Sequence, residues 1–267
     1  MQLKIRALAA MAVLMAQCIY SHAQGCTKTV RWFDDAPYSY RDSSGEIRGL
    51  NVEIAIATLQ QIGCEPVFVE LPWARALVEL AEGRLDVLPG ALRKPEREEF
   101  AYFSTPINRS PNVLFIGVKA AKHYRIKELS DLSGTKFRLG AQINVSYGPA
   151  YDALMENSEF RSRVSLLTLR RGAWKMIETD RIDGFIADEV TGLLELQELK
   201  LSDVISKTRV VVSKDPAMFA FSKKTVTPEF VESFNKAFGQ ILTDGRYLKI
   251  ANRYLPCPVS PKNLGCK

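Results

Sequence analysis

Two short segments of the chain carry residues suited to gripping a small charged solute. Arg93, Lys94 and Arg97 stand in one, Asp188 and Glu189 in the other, each just beyond an apolar run that reads as a β-strand. A planar guanidinium holds a carboxylate through two parallel hydrogen bonds, and a carboxylate can hold an ammonium. The segments before them are near-copies: residues 77–88 (LVELAEGRLDVL) and 175–186 (KMIETDRIDGFI). Each reads as an amphipathic helical run, a polar break, an apolar-Asp pair and a short apolar strand. Such duplication predicts two α/β units of similar construction. Open α/β sheets bind ligands beyond the carboxyl ends of their strands. One unit would therefore present cations and the other acids across a cleft, a setting that fits a small zwitterion.

The elements that must hold these residues can be read from periodicity. A first strand is expected over 30–33, then a helix in which Val52, Ala55, Ile56, Leu59 and Ile62 share one face, ended by Gly63. Strands follow at 67–69 and from 87, with a helix over 73–81 between them. An apolar strand over 113–118 closes this run. A second set has strands over 136–139, 164–167 and 184–187 and helices over 149–155 and 173–179. Residues 209–212 then lead to 219–221 and two terminal helices. Strands alternating with helices predict parallel sheets. The order predicts an α/β fold of two lobes, the first discontinuous (24–117 and 214–267) and the second inserted (118–213). Two crossover strands, near 116–119 and 211–215, would serve as the hinge.

Lys4 and Arg6 precede an apolar run to about Ile19, then Ser21-His22-Ala23, which predicts a signal peptide over 1–23 cleaved near Ala23. The run is shorter than the roughly 20 residues of a membrane span. The expected product is soluble and periplasmic. Removing the leader lowers the net charge of +6 by two, and the remaining excess is mild and dispersed, which argues against a nucleic-acid surface. The product keeps Cys26, Cys64, Cys257 and Cys266, an even number that favours two disulfides in an exported protein. Three pairings are possible. Cys26–Cys64 and Cys257–Cys266 are expected, since the first two sit before strands that would be parallel neighbours and the last two bracket a Pro-rich tail. A metal site would need nearby His and closer Cys pairs, and neither metal nor cofactor is expected.

Motifs through nearly the whole mature sequence resemble the bacterial extracellular solute-binding proteins of family 3, the polar amino-acid binding type. They include Pro37-Tyr38-Ser39-Tyr40, Gly45 through Ala55, Gly83-Arg84-Leu85-Asp86, Pro95-Glu96-Arg97 with Phe103-Ser104-Thr105-Pro106, Asp131-Leu132-Ser133-Gly134, Arg181-Ile182-Asp183-Gly184 and Asp244-Gly245-Arg246-Tyr247. Any one is weak, and their order and spacing together are strong. The resemblance implies a periplasmic-binding-protein-like, Venus-flytrap fold that closes on a ligand between its lobes. It implies that Arg97 holds the ligand carboxylate and Asp188 its ammonium, with Tyr38, Tyr40 and Trp73 covering its body. Without it, Arg97 would read as a surface arginine in a polar turn and Asp188 as a helix N-cap. Asp34 aligns loosely with a family acid, and Arg75 would be a second pocket cation. Gly90, Ser146 and Tyr147 complete the ligand set, the last two in a loop before a helix whose free N–H groups can favour an anion.

The chain departs from the family pattern at Leu92, at Lys94 and at Ile143 or Asn144, where a hydroxyl residue, Thr and Gly are common. Cations at Arg75, Arg93 and Lys94 would suit a ligand with a second negative group. The expected protein is a monomeric binder that presents its ligand to an ABC-type permease or a sensor receptor. A lyase of the cyclohexadienyl-dehydratase kind, using Asp188 or Glu189 as a general acid, and an accessory protein with an empty cleft are the alternatives.

Overall fold

The computed structural model of the chain describes residues 25–266, with the side chain of Cys266 left out, so the leader expected at 1–23 lies outside the described residues. The chain begins with β1 (Cys26–Trp32), the short pair β2 (Tyr40–Arg41) and β3 (Ile47–Arg48), helix α1 (Leu50–Gln61), β4 (Cys64–Glu70), α2 (Trp73–Glu82), β5 (Val87–Ala91), α3 (Pro95–Glu98) and β6 (Ala101–Phe103). There follow β7 (Asn112–Gly117), β8 (Leu139–Gln142), α4 (Pro149–Glu156), α5 (Ser158–Ser162), β9 (Val164–Leu167), α6 (Arg170–Glu178), β10 (Gly184–Asp188), α7 (Glu189–Glu198) and β11 (Ile205–Ser213). The chain returns through β12 (Met218–Ser222), α8 (Pro228–Thr243), α9 (Arg246–Tyr254) and a small hairpin, β13 (Val259–Ser260) with β14 (Gly265–Cys266).

Two five-stranded sheets result, ordered β4-β1-β5-β12-β6 and β9-β8-β10-β7-β11. In each, the first three strands are parallel and the last two alternate in direction. These are the two lobes. Central strands are buried on both faces, as crossover helices require. In β7, Val113 and Phe115 pack with Trp174 and Ile177 of α6, while Leu114 and Ile116 join Tyr151 and Leu154 on the other face. In the first lobe, Val30, Val87, Phe219 and Phe221 pack under α1, α8 and α9, and Leu80, Leu85 and Leu88 fill the opposite face. The apolar stripe of α8 (Val231, Phe234, Phe238, Ile241) is buried, and its start is fixed by the Thr227 hydroxyl accepting from Phe230 N–H at 3.3 Å, with Pro228 in the first turn.

Several boundaries differ from those read in the sequence. β7, expected to close the first lobe's run, lies in the second sheet between β10 and β11. Its two apolar faces demand a central place, and the equivalent place in the first sheet is filled by β12. Each sheet thus takes its fourth strand from chain that has just crossed between lobes. The first crossing accordingly runs over 104–111, not near 116–119, and the second over 214–217. The two lie antiparallel: Ile107 N–H donates to Ala217 O, and Ala217 N–H to Asn108 O, both at 2.9 Å. The strand expected over 136–139 begins only at Leu139, because the Arg138 N–H is turned aside to the Asp183 carboxylate at 2.7 Å. Helix α7 is foreshadowed in the sequence only by Asp188 as a helix N-cap, and the short α3, α5 and β6 leave no signal read there.

Cys26 and Cys64 are directly opposed in the parallel pair β1–β4 and form a disulfide, their Cα atoms 4.4 Å apart. Cys257 is also disulfide-bonded. The side chain of Cys266, its expected partner, lies outside the described residues. The tail hairpin packs on the first crossing, where Arg109 N–H donates to Leu264 O at 2.7 Å.

Candidate functional site

The carboxyl ends of β1, β5, β8, β9 and β10 converge on a cavity of about 310 Å³ between the two sheets. On the first-lobe wall, Gly90 takes a positive φ (82°) at the end of β5, and the chain turns through α3 to bring back Arg97. Arg97 is 7% exposed. Its Nη1 donates to Leu92 O at 3.0 Å and its Nη2 to Asn144 O at 2.9 Å. Burial pushes its pKa down, with slight opposition from Glu96. Trp73, at the start of α2, has two guanidinium neighbours: the Arg97 carbon at 5.6 Å and that of Arg31 at 5.8 Å from its ring centre. Arg31, on β1, is as buried as Arg97, and burial lowers its pKa to about 10 against the pull of Asp35.

On the second-lobe wall, β10 ends at Asp188, which also caps α7: Oδ1 accepts from Thr191 N–H at 2.9 Å. The Tyr38 hydroxyl crosses the cleft to donate to Oδ1 and Oδ2 at 3.2 and 3.3 Å. Burial raises the Asp188 pKa, and the nearby Ser110 hydroxyl and the Thr191 N–H work against that rise. The Thr191 hydroxyl is fully buried against the cavity with no hydrogen-bond partner among the described residues. Arg170, first residue of α6, donates to Asp35 at 2.6 Å and to Glu195 at 3.0 Å, and Trp174 Nε1 donates to Glu195 at 2.6 Å. Burial opposes the charge of Arg170, but Asp35 and Glu195 outweigh it and hold its pKa up.

The lobes are drawn together across this cavity. Besides Tyr38–Asp188 and Asp35–Arg170, Lys94 pairs with Asp152 at 3.3 Å, and Trp73 Nε1 joins Arg97 on Asn144 O at 3.0 Å. Asn144 stands at one of the positions where the sequence lacks an expected glycine. It takes a positive φ (59°), which asparagine tolerates better than most residues, and its carbonyl is pinned by both first-lobe side chains.

Arg97, Asp188, Tyr38, Trp73, Asp34, Gly90, Ser146 and Tyr147 all line the one cavity. Their positions differ in kind. Asp34 is exposed at the rim, and the acid turned inward is its neighbour Asp35. The Tyr147 hydroxyl is engaged within its own lobe, accepting from Gln142 N–H at 2.9 Å and donating to Ile186 O. The start of α4 offers less than expected to an anion, since Pro149 supplies no N–H. Arg75 is not in the cavity. It is 60% exposed and paired with Glu79 one turn along α2, a spacing that favours such pairs. Arg93 pairs with Glu98, and Lys94 with Asp152, so neither lines the cavity. The buried pocket cations that the sequence reading missed are Arg31 and Arg170, with Asp35 and Glu195 as their acids; Arg171 and Asp215 join the lining further out. Arg170 was legible in principle, since it follows the carboxyl end of β9.

Among the described residues no group of three or more His, Cys, Asp or Glu could hold a metal, and no helix is long and apolar enough to cross a membrane.

The family model for bacterial extracellular solute-binding proteins, family 3, matches residues 32–256. A probable amino-acid ABC transporter-binding protein of Haemophilus influenzae is 31% identical over 110 residues, which span 41% of this chain and 42% of that protein. A probable histidine-binding protein of Campylobacter jejuni is 23% identical over 82% of this chain and 80% of its own length. A cyclohexadienyl dehydratase of Pseudomonas aeruginosa is 27% identical over 39% of this chain and 42% of that enzyme. Among solved structures, a histidine kinase sensor domain with similarity to periplasmic binding proteins superposes with a TM-score of 0.75 at 19% identity, covering 87% of this chain and 96% of that one. A substrate-binding protein of an ABC uptake transporter from Streptococcus pneumoniae, with bound histidine, gives 0.72 at 21% identity, covering 85% and 92%. These two likenesses establish the two-lobe fold.

Proposed function

The chain belongs to the bacterial extracellular solute-binding proteins, family 3, and from that premise we propose that it captures a small amino-acid-like zwitterion or carboxylate between its lobes. Arg97 takes the ligand carboxylate, Asp188 the ammonium, and Trp73 and Tyr38 flank the body of the solute. The observation that carries this reading is that Arg97 and Asp188 line one small cavity and neither is in direct contact with an opposite charge: Arg97 donates to backbone carbonyls, and Asp188 accepts from a hydroxyl and an amide, with Glu96 and Arg170 acting on them only from further off. A buried charge without an opposite charge is costly. A dipolar guest supplies the missing partner to each. The cavity volume sits at the small end of ligand pockets, which run from ~300 Å³ upward.

Closure follows from the same contacts. Side chains of both walls already meet across the cavity, and a solute held by both walls adds affinity that the open form does not have, which shifts the population to the closed one. With the leader removed on export, the product is a periplasmic monomer whose closed form docks on a permease or sensor at the membrane. The dehydratase likeness keeps a second reading in view, because a buried carboxyl with a raised pKa at Asp188 is what a general acid requires. Turnover of prephenate or arogenate would favour that reading over a binder.

Calorimetric titration of the protein, stripped of bound solute by unfolding and refolding, against a panel of amino acids tests the proposal. Arg97→Met should weaken binding by roughly 100-fold or more and Asp188→Asn by roughly 30-fold or more, in line with losing one partner of a desolvated charge pair. The raised pKa gives the pH dependence its sign. An ammonium favours ionised Asp188, so affinity should fall as the pH is lowered and the carboxyl takes up its proton, beginning above the pH at which an ordinary carboxylate would do so, and Asp188→Asn should flatten that fall. A panel in which no amino-acid-like solute releases heat or raises the melting temperature would defeat the proposal.

A further inference from the structure

Resting on the reading that the cavity binds an amino-acid-like solute, we infer that this solute carries a second carboxylate, as an acidic amino acid or related dicarboxylate does, and that Arg31 is the residue that receives it beside the Trp73 ring. Arg31 is 7% exposed and lines the cavity. Its Nε donates to Leu71 O at 3.0 Å. Its nearest acid, Asp35, stands 3.9 Å away, while Arg170 holds that same carboxylate at 2.6 Å. Arg31 is therefore a buried guanidinium whose one acidic neighbour is shared with Arg170 and reaches it only as a long ion pair through Oδ2, and its Nη groups make no hydrogen bond among the described residues. Arg97 lies against the same indole, likewise buried, with its Nη groups on backbone carbonyls and no acid in contact. One ligand carboxylate answers Arg97. The second guanidinium asks for a second anion.

The other two arginines on the cavity are already paired with acids. Arg170 is satisfied by Asp35 and Glu195, and Arg171 pairs with Glu198 at 2.7 Å. Asp34 and Asp215 also line the cavity, both from exposed positions where water screens them. Asp188 remains for the ammonium. A neutral side chain placed against Arg31 would bury it without recompense, whereas a carboxylate makes the short, charge-assisted bonds that its fork is shaped for. A ligand with two negative groups was suggested by Arg75, Arg93 and Lys94 in the sequence. Those three are engaged outside the cavity, and Arg31 takes their place.

The test is a matched-pair titration of the unaltered protein, stripped of solute: L-glutamate against L-glutamine, and L-aspartate against L-asparagine. In at least one pair the acid should bind about tenfold or more tightly than the amide, a difference near 1.4 kcal/mol. Arg31→Met should shrink that ratio to about threefold or less, and Arg31→Lys should fall between. Equal affinities within both pairs, or a preference that survives Arg31→Met unchanged, would overturn the inference. If Arg31→Met does not fold, the pairs measured on the unaltered protein decide alone. Tight binding of neutral amino acids with no response to either acid sinks this inference and leaves the underlying reading standing; silence from every amino acid sinks both.

Discussion

The segment from α2 to β5 and that from α6 to β10 are the same object twice, and they differ where the ligand would be. At one constant offset Trp73 corresponds to Arg170, Gly83 to Asp180, Asp86 to Asp183, Val87 to Gly184 and Ala91 to Asp188. The frame is reproduced bond for bond. Arg84 and Leu85 N–H both donate to Glu79 O, at 2.9 and 3.1 Å; Arg181 and Ile182 N–H both donate to Met176 O, at 2.8 and 3.3 Å. The motif aspartate then ties the residue just before the point at which the neighbouring strand first pairs with its own, Val30 with Val87 and Leu139 with Gly184. Asp86 accepts from Thr29 N–H at 2.8 Å and Asp183 from Arg138 N–H at 2.7 Å. The repeated Asp is thus a fastener between strands, and the chemistry stands at the two ends of the unit. The helix start is an indole in one lobe and a guanidinium in the other; the strand end is a methyl in one and a carboxylate in the other.

The sharpest way to break this equivalence is to force the copies to match at Val87 and Gly184. In the first lobe a valine fits. In the second, a Cβ on Gly184 would lie 2.5 Å from the Phe115 carbonyl oxygen and 2.8 Å from the Phe137 ring. Gly184→Val should cost ~3 kcal/mol or more, seen as a lower urea midpoint. A loss under ~1 kcal/mol would mean that β7 and β10 can separate locally, and that the second lobe is looser than its packing implies.

The fasteners come next in size. Asp86→Ala and Asp183→Ala each strand a strand-edge N–H and should each cost ~1–3 kcal/mol. Asp183 also pairs with Arg138 at 2.7 Å, but that arginine is 45% exposed, so its charge adds little. Arg138→Met should therefore cost well under half of what Asp183→Ala does in the same urea titration. If the two losses are equal, the second copy is held by charge and the first by amide bonds, and the likeness is only skin-deep.

Much of this frame was legible. The repeat showed in the sequence because both copies solve the same problem with helix, left-handed break, Asp and strand. The Cys26–Cys64 pairing followed from two strands placed side by side. The sheet to which β7 belongs was not legible, because a strand apolar on both faces reports depth and not neighbours. The same limit applies in the cleft. Arg97 and Asp188 stood out because each follows the end of a strand. Arg31 is a lone cation inside Val30-Arg31-Trp32, where alternation makes it look like the solvent-facing residue of a half-exposed strand. Arg75 misled for the opposite reason: it sits beside Trp73 in sequence, but the helix turns it towards Glu79. Side-chain direction, which a string of letters does not carry, separates pocket from surface here.

The smallest expected effect concerns the break itself. Gly83 and Asp180 both take positive φ, 78° and 55°. That conformation costs a residue with a Cβ about 1 kcal/mol, less for aspartate, which tolerates it. Asp180→Gly would relieve the cost but enlarge the freedom of the unfolded chain and remove the exposed pair with Lys119, so stability should move by less than ~0.5 kcal/mol. The reverse exchange should not be symmetric. A Cβ on Gly83 would meet the Lys224 Cβ at 2.9 Å, so Gly83→Ala should cost ~1–2 kcal/mol, strain and crowding together. Matching small effects from both exchanges would show that the two breaks are interchangeable. A marked difference would show that the first lobe closes its turn against the segment after β12, and that the second lobe leaves its turn open to solvent.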